Sequence, residues 1–220
     1  MIAKHLITDG IMPLKTSDTG KTALSWMEEY KVSHLPIVNN QEFLGLISEL
    51  DIYNLNSFDE PLGNHKLSLK HPYVFENQHI YDVLKLVNEQ SLSLVPVLNG
   101  EGNYLGSINL QNLIKYLALS LSVDNPGGII VLEMTYNDYS LIELAKIVEE
   151  NDAKILSTFL LNHEDSTRLD VFLKINKVDI SSILKTFERY NYFVKASYGE
   201  ENDNEDLRER YNSLMNYLNV

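Results

Sequence analysis

Ser33-His34-Leu35-Pro36-Ile37-Val38 and, beyond a polar turn, Leu44-Gly45-Leu46-Ile47-Ser48-Glu49-Leu50-Asp51 decide the reading of this chain, because it writes the same passage again. The second copy is Ser93-Leu94-Val95-Pro96-Val97-Leu98, then Leu105-Gly106-Ser107-Ile108-Asn109-Leu110-Gln111-Asn112. Pro36 and Pro96 stand 60 residues apart, and Gly45 and Gly106 stand 61 apart, one residue having entered the second turn. Self-similarity at such a period marks one supersecondary unit used more than once. Two copies can bury each other's apolar faces, so a pair is the natural minimum.

Working outward, Ala23, Leu24, Met27 and Tyr30 recur at helical spacing ahead of the first copy. Val83, Leu84, Leu86 and Val87 do the same ahead of the second. Leu35–Val38 and Phe43–Ile47 are short β-rich runs joined by Asn39-Asn40-Gln41-Glu42, which predicts a hairpin. Leu50–Leu55 returns to helix. Each copy therefore reads helix, strand, turn, strand, helix.

In that order, with a Leu-Pro-Ile-Val strand and a Gly-x-x-Ser-x-x-Asp segment, each copy resembles a cystathionine-β-synthase-type (CBS) domain. Residues 1–120 together resemble the tandem CBS module. The resemblance implies a nucleoside pocket closed by Gly45, Ser48 and Asp51. By it, Asp51 accepts from the ribose hydroxyls and Ser48 touches ribose or phosphate. The strand His34-Leu35-Pro36-Ile37 walls the adenine, and Met12, Pro13, Leu14 and Thr16 pass across the base. Ser48 followed by Asp51 also suits a helix cap, with an acidic residue in the first turn, so cap and pocket use the same atoms. The second copy departs from the pattern. Pro96 and Gly106 are kept, but Asn109 replaces the hydroxyl and Asn112 the carboxylate. Asparagine lacks the charge-assisted acceptor pair, so one competent and one degenerate site are expected.

Asp124-Asn125-Pro126-Gly127-Gly128 breaks the chain after the repeats. Beyond it the pattern predicts a strand at Ile129–Met134 and a helix at Tyr139–Glu150, with Leu141, Leu144, Ala145 and Val148 on one face. Two strands, Ile155–Leu161 and Leu169–Ile175, follow around His163-Glu164-Asp165-Ser166. A second helix faces Ile180, Ile183, Leu184 and Phe187 inward, and Phe193–Tyr198 closes the pattern as a strand. The order βαββαβ is a ferredoxin-like split, and after a CBS pair it resembles an ACT domain, a fold that commonly senses amino acids. The ligand loop would be Thr135–Ser140, which here lacks the usual glycine. The domain order resembles acetoin-utilisation B type accessory proteins. The expected fold class is α+β: CBS repeats at 1–60 and 61–124, an ACT-like domain at 127–200, then an acidic connector and helix at 201–220. In that helix Leu207, Tyr211, Leu214 and Leu218 share one side.

Composition limits function. The 220 residues carry 31 acidic and 18 basic side chains, a formal charge of −13. Such a field disfavours nucleic acid and anionic membranes. No run is long and apolar enough to span a bilayer, and the first residues lack a signal-peptide pattern, so a cytoplasmic protein is expected. The absence of cysteine excludes disulfides and thiolate chemistry. The six histidines show no spacing that makes a zinc site, and no nucleophile elbow, Walker loop or Gly-x-Gly-x-x-Gly occurs. No catalytic or metal residue is assigned. The first arginine is Arg168, so an anion pocket in the repeats must lean on lysine, histidine and backbone amides, and added phosphates should gain little.

The resulting expectation is a non-catalytic regulator. Its CBS pair takes an adenine nucleoside or nucleotide (AMP, ATP or another adenosine derivative) and transmits this through a homodimer to an unidentified target protein. A structural assembly protein with an empty pocket, an amino-acid sensor acting through the ACT-like domain, and an enzyme are the rival classes.

Overall fold

The computed structural model describes residues 1–65, 69–163, 167–199 and Met215. Two compact units divide it, Met1–Tyr116 and Leu117–Val220.

In the first unit, α1 (Gly20–Tyr30) begins at Thr19, whose hydroxyl accepts from the Thr22 amide, and ends at Lys31 in the left-handed region. Strands β1 (His34–Asn39) and β2 (Glu42–Ser48) pair antiparallel. Asn40 and Gln41, both at positive φ, make the two-residue turn that suits a twisted hairpin. The short α2 (Glu49–Tyr53) follows. The second copy repeats this as β3 (Val74–Phe75), α3 (Ile80–Gln90), β4 (Leu94–Leu98), β5 (Tyr104–Asn109) and α4 (Leu110–Ser120). Sixty residues after Lys31, Ser91 ends α3 in the same left-handed conformation.

The repeat extends to backbone pairing. Leu14 bridges Ile37 in parallel, as Val74 pairs with Val97. Every residue of β4 is buried, and so are Leu35 to Val38 of β1. Both strands are covered on each side, which explains near-continuous apolar runs instead of alternation. Ala23, Met27, Ile52, Val83 and Leu113 bring the helices onto them as core.

In the second unit, β6 (Ile129–Thr135), α5 (Leu141–Glu149), β7 (Ile155–Asn162), β8 (Arg168–Ile175), α6 (Ser181–Arg189) and β9 (Phe193–Tyr198) form one antiparallel sheet ordered β7-β8-β6-β9. This is the ferredoxin-like arrangement. The fold is α+β, as the sequence reading expects. Ile130, Leu132, Leu144, Ile147, Val148, Val171, Leu173, Ile183 and Phe187 form its core.

Two details correct the sequence reading. Leu141 is 44% exposed and Ile147 is buried, because α5 starts only after the Ser140 cap and its first turn projects past the core. In α4 and the residue after it, Leu113, Ile114, Leu117 and Leu121 fall at the helical spacing of one apolar stripe, but Leu113 packs inside while Ile114 and Leu119 are exposed, so they are not one free face. The turn at 164–166 and the stripe of Leu207, Tyr211, Leu214 and Leu218 lie outside the described residues.

Candidate functional site

Ser48 and Asp51 lock together where β2 passes into α2. The Ser48 amide and hydroxyl both donate to Asp51 Oδ2, at 2.8 and 2.6 Å, and the Asp51 amide returns a bond to Ser48 Oγ at 3.1 Å. This capping box satisfies two of the free amides at the helix start, those of Ser48 and Asp51. It also spends the Ser48 hydroxyl hydrogen inside the pair, so that hydroxyl can serve a ligand only as an acceptor. Asp51 keeps Oδ1 without a hydrogen-bond partner among the described residues.

His34, at the start of β1, stands beside them. Its Nδ1 lies 3.0 Å from Ser93 Oγ and 3.2 Å from Ser33 Oγ, and it accepts from the Ser93 amide at 3.4 Å. Accepting an amide hydrogen fixes the tautomer: Nε2 carries the proton and acts as a donor. Burial holds the imidazole pKa below its ordinary value; nearby Asp51 opposes this and Lys70 adds to it. At neutral pH His34 is therefore uncharged.

Together with Leu46, Leu50, Lys70, Gln90 and Leu92, these three side chains line a cleft of about 180 Å³. That is below the roughly 300–1,000 Å³ usual for small-molecule pockets. Leu46 and Leu92 are buried and fixed, whereas Leu50 is 69% exposed and Lys70 and Gln90 also project to solvent. The rim, made of long exposed side chains, can open without disturbing the core. Gly45 sits beneath the segment that crosses here. At φ 141°, a Cβ on it would come 2.6 Å from the Leu69 Cβ.

Of the residues singled out in the sequence, the fold gathers His34, Ser48 and Asp51 at this cleft, with Gly45 as its backing. The remainder do not line it. Leu14, Leu35 and Ile37 are core residues and Pro36 is buried between them, since β1 is covered on both faces. Thr16 is engaged by the Asn39 carboxamide at 2.9 Å, Pro13 is half-buried and Met12 is exposed. The sequence reading missed Leu46, Leu50, Lys70, Gln90 and Leu92. Lys70 enters because its carbonyl accepts from the Leu46 amide at 2.8 Å, across residues far apart in sequence.

The second copy uses its equivalents differently. Asn112 Nδ2 donates to the Leu6 carbonyl at 2.7 Å, and Asn109 Oδ1 accepts from the Asn112 amide at 2.8 Å and from the Thr8 hydroxyl at 3.2 Å. The Thr8 amide bonds to the Ser107 carbonyl, and Ile7 lies over Gly106 as Leu69 lies over Gly45. Pro96 is buried in β4. Both asparagines thus brace the N-terminal segment.

The CBS domain family matches residues 3–56 and again residues 67–119. Residues 3–119 are a tandem CBS domain pair. Solved structures similar to the CBS pair include a CBS domain pair/ACT domain protein from Thermotoga maritima. It is 24% identical, over 55% of this chain and 99% of that one, with a TM-score of 0.49. The protein CBSX2, solved in complex with AMP, is 18% identical over 54% of this chain and 96% of that one, with a TM-score of 0.47. A homoserine O-acetyltransferase from Methanococcus vannielii is 23% identical over 123 residues, 54% of this chain; the chain spans a quarter of that relative's length. Among the described residues, no helix is long and apolar enough to cross a membrane.

The second unit holds two further polar features. A cleft of about 760 Å³ lies beside Thr135–Ser140, where Thr135 Oγ1 donates to Asp138 and the Tyr192 hydroxyl donates to Glu143 at 2.9 Å. On the sheet, Glu133, His163 and Asp170 converge, their ligand atoms within 4.8 Å of one another. Sequence spacing hides this group because β-register, and not proximity in the chain, places Asp170 opposite Glu133. Lys195 pairs with Asp170 at 2.6 Å and Arg168 pairs with Glu133, so each carboxylate there already has a cationic partner.

Proposed function

We propose that the first CBS repeat holds an adenine nucleoside or nucleotide (AMP, ATP or another adenosine derivative) in the cleft around Ser48 and Asp51. The observation that carries this is the split commitment of the Asp51 carboxylate: Oδ2 is spent on Ser48, while Oδ1 is left as an ionised acceptor on a cleft-lining residue. Vicinal ribose hydroxyls are the donors such an oxygen suits. Buried Leu46 and Leu92 supply apolar walls for a base, and the His34 Nε2 hydrogen supplies a donor.

In this reading the protein is a cytoplasmic, non-catalytic regulator. Its repeats at 1–60 and 61–124 sense the ligand, and the domain at 127–200, ACT-like as in acetoin-utilisation B type proteins, assembles or relays. The carboxamides of Asn109 and Asn112 support a single competent site per chain. In the second unit, exposed Phe159 and Leu161, two residues apart on β7, support a homodimer, since exposed apolar side chains on one sheet face mark interaction sites.

A thermal-shift screen of adenine derivatives tests the reading. A ligand bound only by the folded state adds about 2.7 kcal/mol of stability at a hundredfold excess over Kd. AMP or a relative should raise Tm. No shift from any adenine derivative would leave the structural assembly role. The polar cleft beside Thr135–Ser140 favours one second reading, an amino-acid sensor, and amino acids belong in the same screen.

A further inference from the structure

Among the described residues, Lys70 is the cleft's one permanent cation. His34, the other basic side chain there, is held neutral by the Ser93 amide at its Nδ1 and by burial. The first arginine of the chain is Arg168, far beyond the repeat. Lys70 is also fixed at its base. Its carbonyl accepts from the Leu46 amide at 2.8 Å, which sets where the side chain starts, while the amine has no hydrogen-bond or ion-pair partner among the described residues.

The internal repeat supplies a control within the same molecule. In the second copy, Thr8 takes the equivalent place, its amide bonded to the Ser107 carbonyl and its neighbour Ile7 lying over Gly106 as Leu69 lies over Gly45. The two positions therefore lie against equivalent strand residues, Leu46 and Ser107, through backbone bonds of opposite direction, and differ in charge. Lysine accompanies the carboxylate Asp51, and threonine accompanies the carboxamide Asn112. An ionised acceptor and an ammonium occur together on one side of the pair and are both missing from the other.

We infer that Lys70 is the specificity-determining residue of the cleft: its ammonium selects a nucleotide bearing one phosphate over the free nucleoside. The inference rests on the reading of the cleft as an adenine nucleotide site. An ammonium on a flexible stem acts as a single point charge for phosphate, without the bidentate fork of arginine. The first phosphate should therefore raise affinity about tenfold or more, the scale of a hydrogen bond between charged groups. Second and third phosphates should add little within an acidic chain of charge −13. The expectation from composition alone, that phosphates gain little, then holds beyond the first phosphate and fails for it.

Calorimetric titration of the full chain with adenosine, AMP and ATP at one fixed salt concentration tests this, on the wild type and on Lys70→Met and Lys70→Arg. The expected result is a wild-type preference for AMP over adenosine that disappears in Lys70→Met with adenosine affinity unchanged, and that Lys70→Arg restores. A preference that survives Lys70→Met, or an equal loss for adenosine and AMP, overturns the role of Lys70 while leaving the nucleotide reading in place. A wild type that binds neither adenosine nor AMP overturns that reading and the inference with it. Urea unfolding of each variant confirms that the exposed substitution leaves the fold intact.

Discussion

His34 and Ser93 meet across the two CBS repeats: the imidazole Nδ1 lies 3.0 Å from the serine Oγ, although 59 residues separate them. The same serine hydroxyl accepts the Ser33 amide at 2.9 Å. A side chain of the candidate site in the first repeat is thus oriented by the second. Ser93→Ala should remove the hydroxyl contact that orients the ring, while the backbone amide still donates to Nδ1, and should weaken AMP binding about three- to tenfold with the capping box intact. An unchanged affinity, measured by calorimetry, would show that the cross-repeat contact is structural only.

The pH dependence of stability follows from the same imidazole. Its folded pKa lies below the ordinary value of 6.5, with burial as the main cause. Below pH 6.5 the unfolded chain binds a proton that the native state resists. This contribution is complete above pH 6.5 and is lost as pH falls toward the folded value. His34→Gln should flatten the urea stability profile in that window relative to the wild type.

Asp170 behaves in the opposite sense at lower pH. Burial alone would raise its pKa, but the contacts of Lys195 and His163 outweigh burial and hold it below the ordinary 3.8. The stabilisation is present above the unfolded pKa and disappears as pH falls through the folded one. Lys195→Met should move the acid-unfolding midpoint of the chain upward, as read by circular dichroism.

Asn112→Asp tests whether the second repeat can be turned into a copy of the first. The change removes the donor to the Leu6 carbonyl, 2.7 Å away, and puts an anionic oxygen against it. We expect a loss of about 1–3 kcal/mol of stability, the cost of an unmet buried polar group, and no new nucleotide site. A gain of a second binding equivalent would show that the carboxylate alone makes a site.

Much of this was legible in the sequence, and the reason is the repeat. Lys31 and Ser91, Leu14 and Val74, Gly45 and Gly106 hold matching backbone positions in the two copies, so each stretch of sequence is checked by the other. The βαββαβ order of the second unit was equally plain, because Ile129–Met134, Leu169–Ile175 and Phe193–Tyr198 are strand-length apolar runs. What stayed hidden depends on contacts between distant segments. Lys70 joins the cleft through a bridge to Leu46, and His163 meets Asp170 through sheet register. The resemblance implies Leu35 and Ile37 as a ligand wall, and the sequence alone does not separate that place from the core they occupy, because apolar strand residues look alike whether they face a pocket or a core.

Asp51 has two roles that one substitution can separate. Asp51→Ala should weaken nucleotide binding by about 1.5–3 kcal/mol, the range for hydrogen bonds to a charged group. It should also cost about 0.5–1.5 kcal/mol of stability, the scale of a net hydrogen bond, through the lost N3 half of the capping box. Asp51→Asn can keep one capping acceptor while losing the charge, so its binding loss should exceed its stability loss.

The most direct measurement is the calorimetric stoichiometry of AMP on the full chain, on Asp51→Asn and on Asn112→Ala. We predict one AMP per chain in the wild type, retained in Asn112→Ala and lost or strongly weakened in Asp51→Asn. Two equivalents per chain, or equal losses in the two variants, would contradict a single site built on Asp51.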